Sequence, residues 1–298
     1  MTRIKPRLAV AAAVAVAATA LASSGAAATP VHHNHGHSDP TVTIYLTRHG
    51  QTILNTVERV QGWTDSPLVV GTNADGSVLD ARILPTTVGK NLRAREGKMD
   101  AAYSADMKRH FETATYILKG AQQQYLPITQ DSRLREINFG RYEGATNKEM
   151  WTDIIEHLGY TVNHDAAATA PVDSTGQNGG WQTMQAIAAK EKGTEAMMAA
   201  MKELAEEPIE GSHISLPAED CGDVSTRMMS ALNEIAKRAA REHDDRVLVV
   251  SSGLSITCAI DSLGTTVNGG ISNVAVSKLQ YKKGKWTVLS VADKSYGQ

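Results

Sequence analysis

Three short polar clusters carry side chains able to attack, to hold an anion or to move a proton. The first is Arg48-His49-Gly50-Gln51-Thr52, with Asn55 three residues on. The second holds Ser104 and Arg109 within YSADMKRHFETA, and the third is Arg135-Glu136 within LREINFGRYEG. Imidazole can act as nucleophile or base, guanidinium offers five donors in a planar fork, and a carboxyl group can carry a proton. Taken singly, each cluster also has a plain reading as a helix cap, a solvated helix residue or a loop carboxylate. Their common position is what matters, because each follows a predicted strand, and open α/β sheets place ligand sites there.

Those strands come from the hydrophobic pattern. Val42–Thr47 reads as a buried strand, followed by a helical stretch over 51–60 and a loop excursion over 69–85. A helix is expected over Thr86–Glu96, a strand over Met99–Tyr103, and a helix over Lys108–Lys119 with Phe111, Thr115 and Leu118 on one face. A short strand after Pro127 precedes the polar segment 134–144, and a helix runs from Lys148 to Leu158. Residues 159–180 are soft, rich in Ala, Gly, Asn, Asp and Thr. A helix over Trp181–Glu207 breaks at Gly193, with a core stripe of Met197, Met198, Met201 and Leu204. An amphipathic helix over Asp223–Glu242 places Val224, Met228, Leu232, Ile235 and Ala239 on one face. The strand Val247–Val250 leads into Ser251-Ser252-Gly253 and a helix, and strands Val274–Tyr281 and Trp286–Val291 flank a turn. Strands alternating with helices predict an α/β protein, a three-layer α/β/α architecture with a mostly parallel central sheet.

The order of the clusters resembles the histidine phosphatase superfamily, in its phosphoglycerate-mutase-like branch. The residues that carry the likeness are RHGQTILN (48–55), QGWTDSPL (61–68), YSADMKRHFETA (103–114), LREINFGRYEGA (134–145) and DVSTR (223–227), in order over about 42–292. The phytase-like branch expects a second Arg and a Pro after the RHG, where this chain has Gln51-Thr52. The resemblance implies that His49 is the nucleophile and forms a phosphohistidine. Arg48 and Arg109 would grip phosphate oxygens, which suit planar guanidinium, and would keep His49 neutral enough to attack. Asn55 would donate a neutral hydrogen bond, and Glu136 would be the general acid. No metal and no cofactor is implied.

The pattern breaks at one position. The family supplies a second histidine in a V-S-H-G-like turn, and here Ser252 stands in that place, in Val250-Ser251-Ser252-Gly253. Ser252 still offers a donor to phosphate, but it is shorter and uncharged. Losing one preorganised donor costs about 10²–10³ in rate, so the sequence predicts a slowed enzyme that gains about tenfold or more from Ser252→His. The expected function is a metal-independent phosphomonoester hydrolase. The alternative is a non-catalytic phospholigand-binding protein that keeps the arginine cradle. A mutase is disfavoured because 146–215, expected to form a lid, contains no arginine pair to hold a substrate carboxylate.

Composition and the start of the chain set the surroundings. The 298 residues carry 30 Lys plus Arg against 32 Asp plus Glu, without the basic excess of a nucleic-acid binder. Arg3, Lys5 and Arg7 precede an apolar run from Leu8 to Leu21, and Ala26-Ala27-Ala28 offers a cleavage site. This reads as a signal peptide over 1–28, too short to span a bilayer. It predicts a secreted or cell-envelope protein with no membrane attachment after cleavage. A linker over 29–40 holds His32, His33, His35 and His37, and one domain covers 41–298. The expected partner is a phosphorylated small molecule or phosphoprotein. Cys221 and Cys258 are the two cysteines; an exported chain permits their bridge, and spacing alone leaves bridge and free thiols equally open.

Overall fold

The four parallel strands of one sheet end at the same edge, and that edge gathers the polar clusters. The computed structural model describes residues 40–176 and 178–298. The expected signal peptide and the histidine tract lie outside the described residues. In chain order the elements are β1 (Thr41–Arg48), α1 (Ile53–Thr56), β2 (Val70–Thr72), β3 (Val78–Asp80), α2 (Ile83–Glu96), β4 (Ala101–Ser104), α3 (Lys108–Gly120) and β5 (Ile128–Gln130). They continue with α4 (Asn147–His157), α5 (Trp181–Ala205), α6 (Cys221–Glu242), β6 (Arg246–Ser251), α7 (Gly253–Asp261), β7 (Val276–Lys282) and β8 (Lys285–Asp293).

Six strands form one sheet in the order β5-β4-β6-β1-β7-β8. β5, β4, β6 and β1 run parallel, while β7 is antiparallel to β1 and β8 to β7. The fold is therefore the expected three-layer α/β arrangement, with a hairpin closing one edge. Val42, Ile44 and Leu46 of β1, with Val247 and Val249 of β6, pack towards α6 and α7. The intervening Tyr45, Leu248 and Val250 pack with Val88, Leu92, Ala114, Ile117 and Leu118 of α2 and α3. Both sheet faces are covered, which is why these strands read as unbroken apolar runs. On α6, Val224, Met228, Leu232 and Ile235 are all buried, each contributing roughly 1.5–3 kcal/mol by burial.

Several boundaries differ from the sequence reading for local reasons. The helix expected over 51–60 is only the turn α1, because Glu58 takes a left-handed φ of 51° and Val60 N–H bonds to Ala145 O instead. The 69–85 excursion contains the hairpin β2–β3 and the start of α2. Pro85 is accommodated in α2's first turn, where its missing N–H is not needed. On α3 the expected face is rotated. Phe111 is 42% exposed, while Arg109, His110, Thr113, Ala114, Ile117 and Leu118 are buried. The break at Gly193 is present (φ 82°), and Met197, Met198 and Met201 lie in the core. Cys221 and Cys258 are joined, with their Cα atoms 5.2 Å apart. Among the described residues no helix is long and apolar enough to cross a membrane.

Candidate active site

The register between β1 and β6 pairs Arg48 with Ser251, so the chain leaves both strands side by side. His49 N–H bonds to Ser251 O at 3.0 Å, which fixes His49 next to Ser252. His49 is 3% exposed, and its Nδ1 lies 2.8 Å from Gly50 O. A carbonyl only accepts, so Nδ1 carries the proton and Nε2 keeps its lone pair. Burial, then the charges of Arg109 and Arg48, hold this imidazole well below the usual histidine range. Asn273 Nδ2 donates to His49 O at 2.9 Å, and Thr113 Oγ1 accepts from Gly50 N–H at 2.9 Å. The nucleophile candidate is thus held from both sides.

Arg109 is fully buried in the first turn of α3. Its Nη2 donates to Gly62 O at 2.6 Å, and its Nη1 donates to Thr64 O at 3.1 Å and Asp65 Oδ1 at 2.9 Å. Arg48 Nη1 donates to Ile271 O at 2.7 Å. Both guanidiniums keep a buried Nε without a protein partner. Burial lowers the pKa of both, opposed by Glu136 at Arg48 and by Asp65 at Arg109, and both stay cationic at any physiological pH. Asp65, Glu136 and Glu143 offset these charges in part, and the two unpaired Nε–H groups are what remains to meet an anion.

Glu136 lies at the N-terminus of α7 and is 7% exposed. Its Oε1 accepts from Ser255 N (2.8 Å), Ile137 N (2.9 Å) and Ser255 Oγ (3.0 Å). Oε2 accepts only a longer bond from Leu254 N (3.2 Å), so it is the less engaged of the two oxygens. Asn55 Oδ1 accepts from Thr52 N at 3.3 Å in a capping box, which leaves its Nδ2 as the donor.

The structure also assigns holding roles that the sequence reading did not isolate. Glu143 accepts from the backbone N–H groups of Gly62, Trp63, Thr64 and Phe139, at 2.7–3.2 Å. It thereby fixes the 62–64 loop that Arg109 grips. Gly62 is required there, since a Cβ would stand 2.3 Å from Glu143 Oε1 and from Ile137 O. Arg227 donates to the carbonyls of Arg133, Arg135 and Glu136 and pairs with Glu219, fixing the Glu136 turn. Both residues stand inside the quoted GRYEG and DVSTR stretches, which was the only signal in the sequence.

Ser252 is fully buried, and the space around it is not vacant. His110 from α3, also fully buried, places Nε2 2.6 Å from Ser252 Oγ. Its ring stands edge-on to His49, with centroids 5.2 Å apart. The expected gain from Ser252→His is therefore withdrawn, because a second imidazole at 252 would collide with His110.

Comparison with known proteins bears on the family and the fold. The family model for the histidine phosphatase superfamily (branch 1) matches residues 44–177 and 176–294. The 2,3-bisphosphoglycerate-dependent phosphoglycerate mutase of Bartonella quintana (strain Toulouse) is 33% identical over 108 residues, 36% of this chain and 48% of the relative. That of Staphylococcus carnosus (strain TM300) is 30% identical over 135 residues, 45% of this chain and 55% of the relative. The chain spans about half the length of these curated relatives. The solved structure of phosphoglycerate mutase from Bacillus anthracis str. Sterne is 32% identical, with a TM-score of 0.65 over 87% of this chain and 96% of that one. Bacillus stearothermophilus YhfR is 25% identical, with a TM-score of 0.55 over 86% of this chain and all of that one. With the motifs in order, the sheet as expected and the family model covering the described unit almost end to end, the chain belongs to the histidine phosphatase superfamily, branch 1.

Proposed function

We propose that this protein is a phosphomonoester hydrolase working through a phosphohistidine on His49. The observation that carries the reading is the neutral, buried His49 with Nδ1 committed to Gly50 O and Nε2 free beside two guanidiniums. In the first step Nε2 attacks phosphorus, the ester P–O bond breaks, and Glu136 gives its proton to the departing oxygen. In the second, Glu136 takes a proton from water as that water attacks the phosphohistidine, which releases phosphate and restores neutral His49. Arg48 and Arg109 stabilise the charge on the transferring group, and Asn55 adds a neutral donor.

Hydrolysis is preferred to the mutase reaction named for the relatives, because 146–215 contains no arginine. Two of its lysines are also engaged, Lys148 with His164 O and Lys202 with Asp223. The bonded cysteine pair and the leader-like start support an exported protein.

The test is hydrolysis of an aryl phosphate in the presence of a chelator. The wild-type chain is expected to turn over and His49→Ala to be inactive. Wild-type turnover by His49→Ala would remove the nucleophile assignment. Phosphate binding without turnover by the wild type would replace the hydrolase with a binding protein.

A further inference from the structure

His110 is a buried imidazole that the proposed reaction does not use, and its surroundings are specific. Nε2 meets Ser252 Oγ at 2.6 Å, while Nδ1 is buried without a partner. Burial and the nearby Arg109, His49 and Arg135 keep the ring neutral, so it carries one N–H. A buried N–H with no acceptor is rarer and more costly than a bare acceptor nitrogen with no donor. The proton therefore sits on Nε2 and is donated to Ser252 Oγ.

That donation orients the serine. Ser252 is the N-cap of α7, yet its side chain makes no capping bond. The N–H groups of Leu254 and Ser255 are already taken by Glu136. The hydroxyl hydrogen of Ser252 is thus spent neither on the helix nor on His110. Arg48–Ser251 register and the His49 N–H to Ser251 O bond keep this serine at the strand end beside the nucleophile.

We propose that His110 and Ser252 act as one unit in phosphoryl transfer, with His110 Nε2–H fixing Ser252 so that its hydroxyl donates to the phosphoryl group at His49. The inference rests on the proposed hydrolase reading. Ser252 touches the transferring group, and His110 is a positioning residue acting through it. The unit supplies a preorganised donor from two elements, α3 and α7, where a single longer side chain would otherwise reach.

The experiment is a double-mutant cycle on aryl phosphate turnover with Ser252→Ala, His110→Ala, the double variant and His110→Gln. Each alanine variant is expected to lower kcat by about 10²-fold, with KM changed less than about threefold. The double variant is expected to be no slower than either single one, since removing one member disables the unit. His110→Gln, whose amide N–H can reach Ser252 Oγ as Nε2–H does, is expected to regain at least about tenfold over His110→Ala. Ser252→Ala, which removes one oxygen, carries the test if His110→Ala loosens the core. A Ser252→Ala or His110→Ala kcat within threefold of wild type, or losses that multiply in the double variant, would overturn the unit while leaving His49 chemistry intact. A wild-type chain that does not turn over removes the hydrolase reading and the unit with it.

Discussion

The floor of the candidate site, where the parallel strands end, and the 146–215 segment are held by different forces. On the floor, charged side chains are buried and bonded at named atoms. Arg109 holds Gly62, Thr64 and Asp65, Glu136 has four donors, and Arg227 holds three carbonyls and Glu219. The 146–215 segment instead packs Ile155, Val162, Trp181 and Met184 into a small apolar cluster. Its 159–180 stretch bonds largely to itself, as Asn163 N to Gly179 O and Gly180 N to Ala170 O show. Its polar side-chain contacts, such as His164–Glu156 and Lys202–Asp223, lie at the surface. Stranding a buried charge costs about 3–5 kcal/mol, whereas an exposed pair contributes about 0–1 kcal/mol. The floor therefore tolerates few polar changes, whereas the segment's exposed pairs can vary with little penalty and its buried Ile155, Met197, Met198 and Met201 cannot.

The contrast is sharpest in single substitutions. On the proposed mechanism Glu136→Gln removes the proton offered to the leaving oxygen and is expected to slow hydrolysis of an alkyl phosphate by about 10²–10⁴-fold. An aryl phosphate, whose leaving group needs less help, is expected to lose much less. Lys148→Ala, which breaks one exposed bond to His164 O, is expected to stay within about threefold of wild type. Steady-state rates on the two esters decide this, and equal losses in both variants would break the distinction.

The Cys221–Cys258 bridge joins the start of α6, just beyond the segment, to α7 on the floor. Chain-entropy reasoning gives it about 3–4 kcal/mol. Cys221→Ser with Cys258→Ala is expected to lose that much in denaturant unfolding, with turnover per folded chain unchanged. A loss under about 1 kcal/mol would show that the packing around α7 does the holding.

How much of this was legible follows the same division. His49, Arg48, Arg109 and Glu136 could be read because each sits in a contiguous motif after a strand. His110 could not be assigned, since the helix pattern was read through Phe111, Thr115 and Leu118. A polar pair, Arg109-His110, turned inward only makes sense once its partners Gly62, Thr64, Asp65 and Ser252 are known. Ser252 read as a loss because its partner lies 142 residues away. The Glu143 contacts to the 62–64 loop also span about 80 residues, with no local periodicity to mark them. Both strands of the β7–β8 hairpin and their turn were legible, but the antiparallel pairing of β7 with β1 was not, because pairing partners across a sheet leave no local trace.

The smallest expected effect is on acid stability. His49 and His110 are both held neutral, with folded pKa values well below 6.5. As pH falls through about 6.5 the unfolded chain takes up these protons and the folded chain does not. Stability therefore falls as pH falls below about 6.5, until the folded values are reached. Urea unfolding at pH 7, 6 and 5 is expected to show a shallower decline in His110→Gln than in wild type. An identical slope would mean that His110 is protonated in the folded chain.

The central claim is that His49 carries the phosphoryl group. Its direct measurement is a rapid alkaline quench of the chain mixed with a radiolabelled aryl phosphate, followed by peptide mapping. The account predicts close to one labelled phosphoryl group per active chain, stable in alkali, lost in acid, located on His49 and absent from His49→Ala. Turnover by a wild-type chain with no label on His49 at any quench time, or with label on another residue, would contradict it.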